Sequence, residues 1–324
     1  MAKIKVSSGF TQLKLTLLRY SKVFMVYDRN VQQYADKFAS GKPSFVIEAG
    51  EDQKTMATVM SICRWLLSQG ADRSALVLAV GGGLTSDIVG FAASIYKRGV
   101  RYANIPTTLL AMVDAGIGGK TGVNLDGYKN MLGVIRQPEF TYICPPVLQT
   151  LPAREFRSGA AEMLKTFIIK DGNNYSKALK VLSEPFDASS IEPLIEAAAK
   201  IKDSIVKKDE TETGPRRVLN LGHTYGHAIE WWQKETKQPE PYTHGEAVAI
   251  GIIQAAVKSE SLGKSKPGLA EKLRSDFKYC GLPTELPCSD EELRKAILQD
   301  KKAEGGKLNF VFIKDIGKVT VEKI

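Results

Sequence analysis

ALVLAVGGGLTSDIVGFAASIYKRGVRYANIP, residues 75–106, carries the order of elements that decides the fold. Residues 75–80 are six apolar side chains without polar alternation. A run that short and that uniform suits a strand covered on both faces. Gly81, Gly82 and Gly83 stop it. Residues 84–96 then place apolar side chains at helical spacing, and VRYANIP, 100–106, returns to a strand. Strand, helix and strand in that order predict a parallel crossover unit. Towards the N-terminus, SKVFMVYD (21–28) reads as a strand, and SFVIEAG as a second that ends near Gly50. The 55–68 segment is helical in pattern. The expectation is an α/β, Rossmann-like domain with a mainly parallel sheet.

The second half has a different character. From about Pro152 the segments are long and helical: 153–169, 191–209, 243–263 and 267–281. NFVFIKDIG (309–317) is the one stretch there that reads as a strand. We expect a mostly α-helical C-terminal domain, with a boundary between Cys144 and Pro152. The domains are then 1–150 and 151–324. No internal repeat or low-complexity linker interrupts them.

Composition narrows the class. A chain of 324 residues, 43% hydrophobic and 25% charged, can bury a substantial core. No apolar run reaches bilayer-spanning length, and the first twenty residues lack the apolar core of a signal peptide. The four cysteines, Cys63, Cys144, Cys280 and Cys288, form no CxxC pair and read as free thiols in a reducing cytoplasm. The net charge of +9 is spread along the chain without a nucleic-acid-binding motif, so an anionic small molecule is the expected partner, not nucleic acid or membrane.

Two patterns suggest chemistry. The Gly81–Gly83 triplet sits where a strand opens into a helix. Small residues there let a pyrophosphate approach the helix N-terminus, although the same glycines also suit a plain tight turn. Asp28, at the end of the first apparent strand, suits either an adenosine ribose or a helix N-cap. The chain's three histidines, His223, His227 and His244, are confined to NLGHTYGHAIE and HGEAVAIG. His223 and His227 are four apart and share a helix face, so spacing alone nominates that pair as metal ligands. The general-base glutamate of an H-E-x-x-H metalloprotease is missing, so a protease is not expected.

The block GGGLTSDIVGFAASIYKRGVRYANIPTTLLAMVDAGIGGKTGVNLDGYKNMLG resembles the signature region of the 3-dehydroquinate synthase family. RSGAAEMLK, NLGHTYGHAIE, HGEAVAIG and the DKK of residues 300–302 resemble its remaining motifs in the same order. The likeness runs from about Gly50 to Gly317, and residues 1–20 carry no clear motif of the family.

The resemblance implies a metal site of Glu162, His223 and His244, holding zinc or cobalt. That revises the spacing argument and assigns His227 to phosphate contact and proton handling. It implies an NAD site of Asp28, Asn30, Glu51, Lys54, Gly82, Gly83, Asp87, Thr107, Thr108, Lys129 and Thr150. The substrate and catalytic set would be Lys120, Asn130, Lys165, Lys202, Arg216, Asn220 and His227, with Lys302 from the DKK motif. Arg98 would reach the phosphate in a neighbouring subunit of a homodimer. Asp114 stands in both the cofactor and the substrate sets. A substrate carrying a phosphate and a carboxylate explains why so many cations fall inside the motifs.

The activity so implied is closure of 3-deoxy-D-arabino-heptulosonate 7-phosphate to 3-dehydroquinate with loss of phosphate. The rivals are another sugar phosphate cyclase, a metal-dependent polyol dehydrogenase, and a non-catalytic relative. Glu162, the KTGVN motif and the Tyr128-Lys129-Asn130 stretch favour the synthase over the dehydrogenase. Intact residues at Lys202, Arg216, Asn220 and His227 argue against the other two.

Overall fold

The computed structural model describes residues 3–39, 41–126, 128–303 and 309–324. These residues divide into two compact units that meet in sequence at Leu151 and Pro152.

In the first unit the elements run β1 (Lys3–Val6), α1 (Thr11–Leu17), β2 (Val23–Asp28), α2 (Gln32–Ala39), β3 (Ser44–Ile47) and α3 (Met56–Ser68). They continue through β4 (Leu76–Gly81), α4 (Gly83–Ile95), β5 (Arg101–Pro106), β6 (Lys120–Leu125), β7 (Tyr128–Ile135) and β8 (Phe140–Ile143). Six strands form a parallel sheet in the order β1-β8-β5-β4-β2-β3. Every residue of β4 is buried, as the uniform apolar run requires of a strand with both faces covered. Phe24, Val26, Val77 and Ala79 of the sheet pack with Val59, Ile62 and Leu66 of α3 and Ile88, Val89 and Ala92 of α4.

The sheet order has a functional consequence. From β2 the chain moves one way to β3, then returns to β4 on the other side of β2 and continues to β5. The direction of winding therefore reverses between the carboxyl ends of β2 and β4. In an open α/β sheet that crevice is where ligands bind.

Three features differ from the pattern reading. The 44–50 strand stops at Ile47, because Gly50 takes φ +121° and begins a turn. Residues 120–135, which show no clear strand alternation, form the antiparallel hairpin β6–β7 beside the main sheet. The edge strand β1 and its neighbour β8 are four residues each, too short to stand out by periodicity.

The second unit contains α5 (Ala153–Lys170), α6 (Gly172–Ser183), α7 (Ala188–Lys208), α8 (His223–Glu235), α9 (His244–Ser261), α10 (Leu269–Tyr279) and α11 (Asp290–Ala303). The hairpin β9 (Asn309–Asp315) and β10 (Lys318–Lys323) follows. The expected strand at 309–317 thus has a partner, KVTVEK, which the sequence reading left unassigned. α9 is buried along most of its length and packs against α5, α8 and α10. Glycine sets its distance from α8: a Cβ on Gly251 would lie 2.0 Å from the Gly222 carbonyl oxygen. No helix among the described residues is long and apolar enough to cross a membrane.

Candidate active site

Three helices of the second unit converge on one polar cluster. Ser158, Glu162 and Lys165 fall at i, i+4 and i+7 on α5, so they share one face of it. His223 and His244 are the first residues of α8 and α9. Glu162, His223 and His244 each offer a ligand atom, and those atoms all lie within 4.8 Å of one another. His227, one turn along α8, stacks edge-on against His223 at 5.3 Å between ring centroids and is not in that group. The geometry therefore differs from the His223–His227 pair suggested by spacing. His244 reaches the cluster from another helix, which spacing cannot reveal.

Local contacts hold these side chains in place. Thr243 caps α9 in a reciprocal box with Glu246. Arg154 of α5 grips the Glu246 carboxylate with two N–H groups, at 3.1 and 2.8 Å. The N–H of Gly245 donates to Ser158 Oγ at 3.1 Å, and a Cβ on Gly245 would sit 2.0 Å from the Ser158 carbonyl oxygen. Only glycine lets α9 begin this close to α5, one turn from Glu162.

The electrostatics are those of a cation site. Glu162 is wholly buried, and neither of its oxygens has a hydrogen bond. They face charges instead: the Lys165 ammonium forms an ion pair with one, and His244 Nε2 lies 3.4 Å from the other. Burial by itself would raise the Glu162 pKa, but Lys165 and the two imidazoles hold it well below the usual carboxylate range. Burial, then the Lys165 charge, pushes His223 down to about 3, so its ring is neutral. Burial also opposes charge on His244, yet Glu162 and Glu230 outweigh it and push the ring up to about 10. An anionic oxygen pair with no hydrogen bonds and two imidazoles at this separation fit a divalent transition metal.

The remaining cations of the second unit lie on neighbouring elements. Lys165 and Lys202 are buried, on α5 and on α7, which packs against it. Arg216 is buried in the 3-10 segment Pro215–Asn220, where its guanidinium donates to the Glu210 carbonyl at 2.6 Å. Asn220, exposed at the end of that segment, donates to Glu212 Oε1 at 2.7 Å. Lys302 is in the last turn of α11, and its side chain lies outside the described residues.

In the first unit, many of the expected cofactor residues collect at the carboxyl edge of the sheet. Asp28 ends β2, Gly82 and Gly83 follow β4, and Thr107 and Thr108 follow β5. The Thr107 N–H donates to the Gly81 carbonyl at 2.9 Å, which ties two of these turns together. Gly83 is required by close approach, not by a left-handed backbone: a Cβ there would lie 2.8 Å from that of Ala115. Asp28 accepts the Asn30 N–H at 2.8 Å, the capping role open to it from sequence. Thr150 bonds Tyr34 at 3.1 Å. Asp114 lies in a π-helical turn, Ala111–Ala115, a distortion that recurs at functional sites.

A second cluster forms where the hairpin meets the end of β3. The buried Lys54 ammonium bridges Asp87 of α4, at 2.7 Å, and Asn130 Oδ1, at 2.6 Å. Asn130 has φ +55°. Asn124 braces it: its Oδ1 accepts the Asn130 N–H at 2.9 Å, and its Nδ2 donates to Glu51 Oε1 at 2.9 Å. Glu51, Lys54, Asp87 and Asn130 are thereby brought together with Asn124, the last residue of the KTGVN motif, to which the sequence reading assigned no role. Lys120 opens β6 and Lys129 lies on β7, both exposed. Arg98 is exposed after α4, with φ +63°.

Glu230 is the other residue missed. Its Oε1 is 3.3 Å from His244 Nδ1, and it lies on the same stripe of α8 as His223 and His227, at i+7 from the first. That spacing was available in the sequence.

The family model for the 3-dehydroquinate synthase N-terminal region matches residues 44–158, and that for the C-terminal region matches residues 159–303. A 3-dehydroquinate synthase of Leptospira interrogans is 38% identical over 320 residues, covering 96% of this chain and 87% of the relative. One from Geotalea uraniireducens is 41% identical over 280 residues, covering 85% and 76%. Among solved structures, the 2-epi-5-epi-valiolone synthase ValA of Streptomyces hygroscopicus, with NAD+ and Zn2+ bound, superposes with a TM-score of 0.88. It is 28% identical, and the match covers 99% of this chain and 92% of that one.

Proposed function

The chain belongs to the 3-dehydroquinate synthase family, and we propose that it converts 3-deoxy-D-arabino-heptulosonate 7-phosphate into 3-dehydroquinate and phosphate. The observation that carries this reading is the Glu162-His223-His244 cluster, built on a buried carboxylate, in a chain whose parallel sheet has a nucleotide-type switch point. Glu162, His223 and His244 would hold a divalent ion, which would supply Lewis acidity, and the carboxyl edge of the sheet would hold NAD, which would supply a reversible hydride acceptor.

The protein's own groups do the rest. Lys165, paired with Glu162, stabilises negative charge that develops on substrate oxygen near the metal ligands. Lys202, Arg216 and Asn220 bind and orient the substrate's hydroxyl and carboxylate groups. Lys120, Asn130 and Arg98 bind the phosphate, and Lys302 is assigned to substrate contact. His227, exposed beside His223, moves protons between the phosphate and the carbon acid. Asp28, Asn30, Glu51, Lys54, Gly82, Gly83, Asp87, Thr107, Thr108, Asp114, Lys129 and Thr150 form the NAD site. We assign the protein to the cytoplasm as a homodimer; its four cysteines form no disulfide with one another, which suits a reducing compartment.

Substrate and products stand at the same oxidation level, so the conversion proposed would consume no net oxidant and NAD would act as a catalyst. Free phosphate and NADH measured together in one stopped assay test this. One phosphate released per substrate, with no accumulation of NADH, is expected. NADH produced in step with substrate loss, without phosphate, would replace the synthase with a dehydrogenase.

A further inference from the structure

We infer that Glu230 is a positioning residue of the metal site, setting which nitrogen of His244 faces the ion. The inference rests on the metal reading above and extends it to a residue outside the ligand set.

His244 has two acceptors, one on each side. Nε2 is 3.4 Å from Glu162 Oε1, inside the cluster, and Nδ1 is 3.3 Å from Glu230 Oε1. A neutral imidazole carries one proton, and the nitrogen that hydrogen-bonds an outer acceptor keeps it. Glu230 therefore retains the proton on Nδ1 and leaves the Nε2 lone pair for the ion. His223 is held the same way by a weaker acceptor: its Nδ1 is 3.2 Å from the Leu221 carbonyl. The two ligands thus differ in basicity, because one is polarised by a carboxylate and the other by a peptide oxygen.

Glu230 is well placed for this work. Its side chain is 10% exposed, so solvent screens the contact little. It shares the face of α8 that presents His223, so a single helix supplies one ligand and the orienting group of another. That links the placement of His223 and His244 to one rigid element. Glu230 is not itself among the three residues whose ligand atoms lie within 4.8 Å of one another.

The test uses the full-length protein loaded with Co2+, whose visible absorption reports ligand geometry. Metal affinity is measured by chelator competition for wild type, Glu230→Gln, Glu230→Ala and His223→Ala. Glu230→Gln keeps the shape and removes the charge. It should weaken metal binding roughly 10- to 100-fold and shift the cobalt bands, with the melting temperature of the metal-free form unchanged. Glu230→Ala should weaken binding at least as much. Wild-type affinity and spectrum in Glu230→Gln overturn the proposal. So does a fall in metal-free stability that accounts for the loss of affinity, because that marks a purely structural role. His223→Ala separates the two readings. If it binds metal like wild type, the ion is elsewhere and the metal reading falls along with this one. If it loses the metal while Glu230→Gln keeps wild-type binding, only this inference falls.

Discussion

Asp209 illustrates how much of this structure is decided by single side chains that no motif marks. It ends α7 and accepts the backbone N–H groups of Thr213, Gly214 and Arg216 at 3.1, 2.7 and 3.0 Å. Those bonds fold the loop that delivers Arg216 and Asn220. Burial alone would raise the Asp209 pKa, but the N–H groups outweigh it and hold the carboxyl below its ordinary 3.8. A depressed folded pKa gives stability that is complete above the unfolded value and lost as pH falls through the folded one. We expect Asp209→Asn to be less stable than wild type at neutral pH, with the gap closing below about pH 4. Urea midpoints measured across the acid range check this, and a gap independent of pH would remove Asp209's charge from the account. At this same scale, Glu162, His223 and His244 were legible because they sit in long motifs. Asn124 and Glu230 close two of the same motifs, KTGVN and NLGHTYGHAIE, yet their roles lie in what they touch.

At the level of elements, the decisive contact is the meeting of α5 and α9. Gly245 is the second residue of α9, and its Cα faces the Ser158 backbone. Replacing it with alanine puts a methyl group 2.0 Å from a carbonyl oxygen, and that oxygen belongs to backbone that cannot swing aside. The cost is about 1–3 kcal/mol, typical of forced overpacking. α9 must retreat, and His244 retreats with it. We therefore expect Gly245→Ala to lower the metal-free urea midpoint and to reduce bound metal after dialysis against limiting zinc. A variant that retains a full metal complement would show that the α5–α9 distance does not govern the site. The same level explains the misread strands. β6 and β7 are held by pairing with each other, and β10 by pairing with β9, so neither needs the alternation that a sequence scan detects.

For the whole molecule, charge is the informative quantity. The net +9 belongs to a chain in which Lys54, Lys165, Lys202 and Arg216 are buried. Lys54, Lys165 and Arg216 lie beside Asp87, Glu162 and Glu212, so the excess positive charge that attracts an incoming anion sits largely on exposed side chains, where salt screens it. A substrate carrying a phosphate and a carboxylate should therefore show a value of kcat/KM that falls on the order of tenfold between about 0.01 and 0.5 M salt. kcat should change much less, because the bound substrate is shielded from the bulk ions. Measuring both parameters across a KCl series tests this, and a kcat/KM indifferent to salt would leave the excess charge without a role in capture.

The amino-acid sequence by itself determined the order of strands and helices around residues 75–106, the helical character of the second half, and the motif positions from which the metal ligands were named. Each of these depends on local periodicity or on a contiguous string, and such information is complete within a few tens of residues. Tertiary structure alone decided three further things. It set the winding reversal between β2 and β4, paired the hairpins, and brought the ligand atoms of Glu162, His223 and His244, the set implied by the motif resemblance, within 4.8 Å of one another. Residues 162, 223 and 244 lie on three helices, and their ligand atoms meet only because Gly245 and Gly251 let α9 approach α5 and α8 closely. Spacing along one helix reports neighbours a turn apart, whereas this cluster is a packing event between helices distant in sequence.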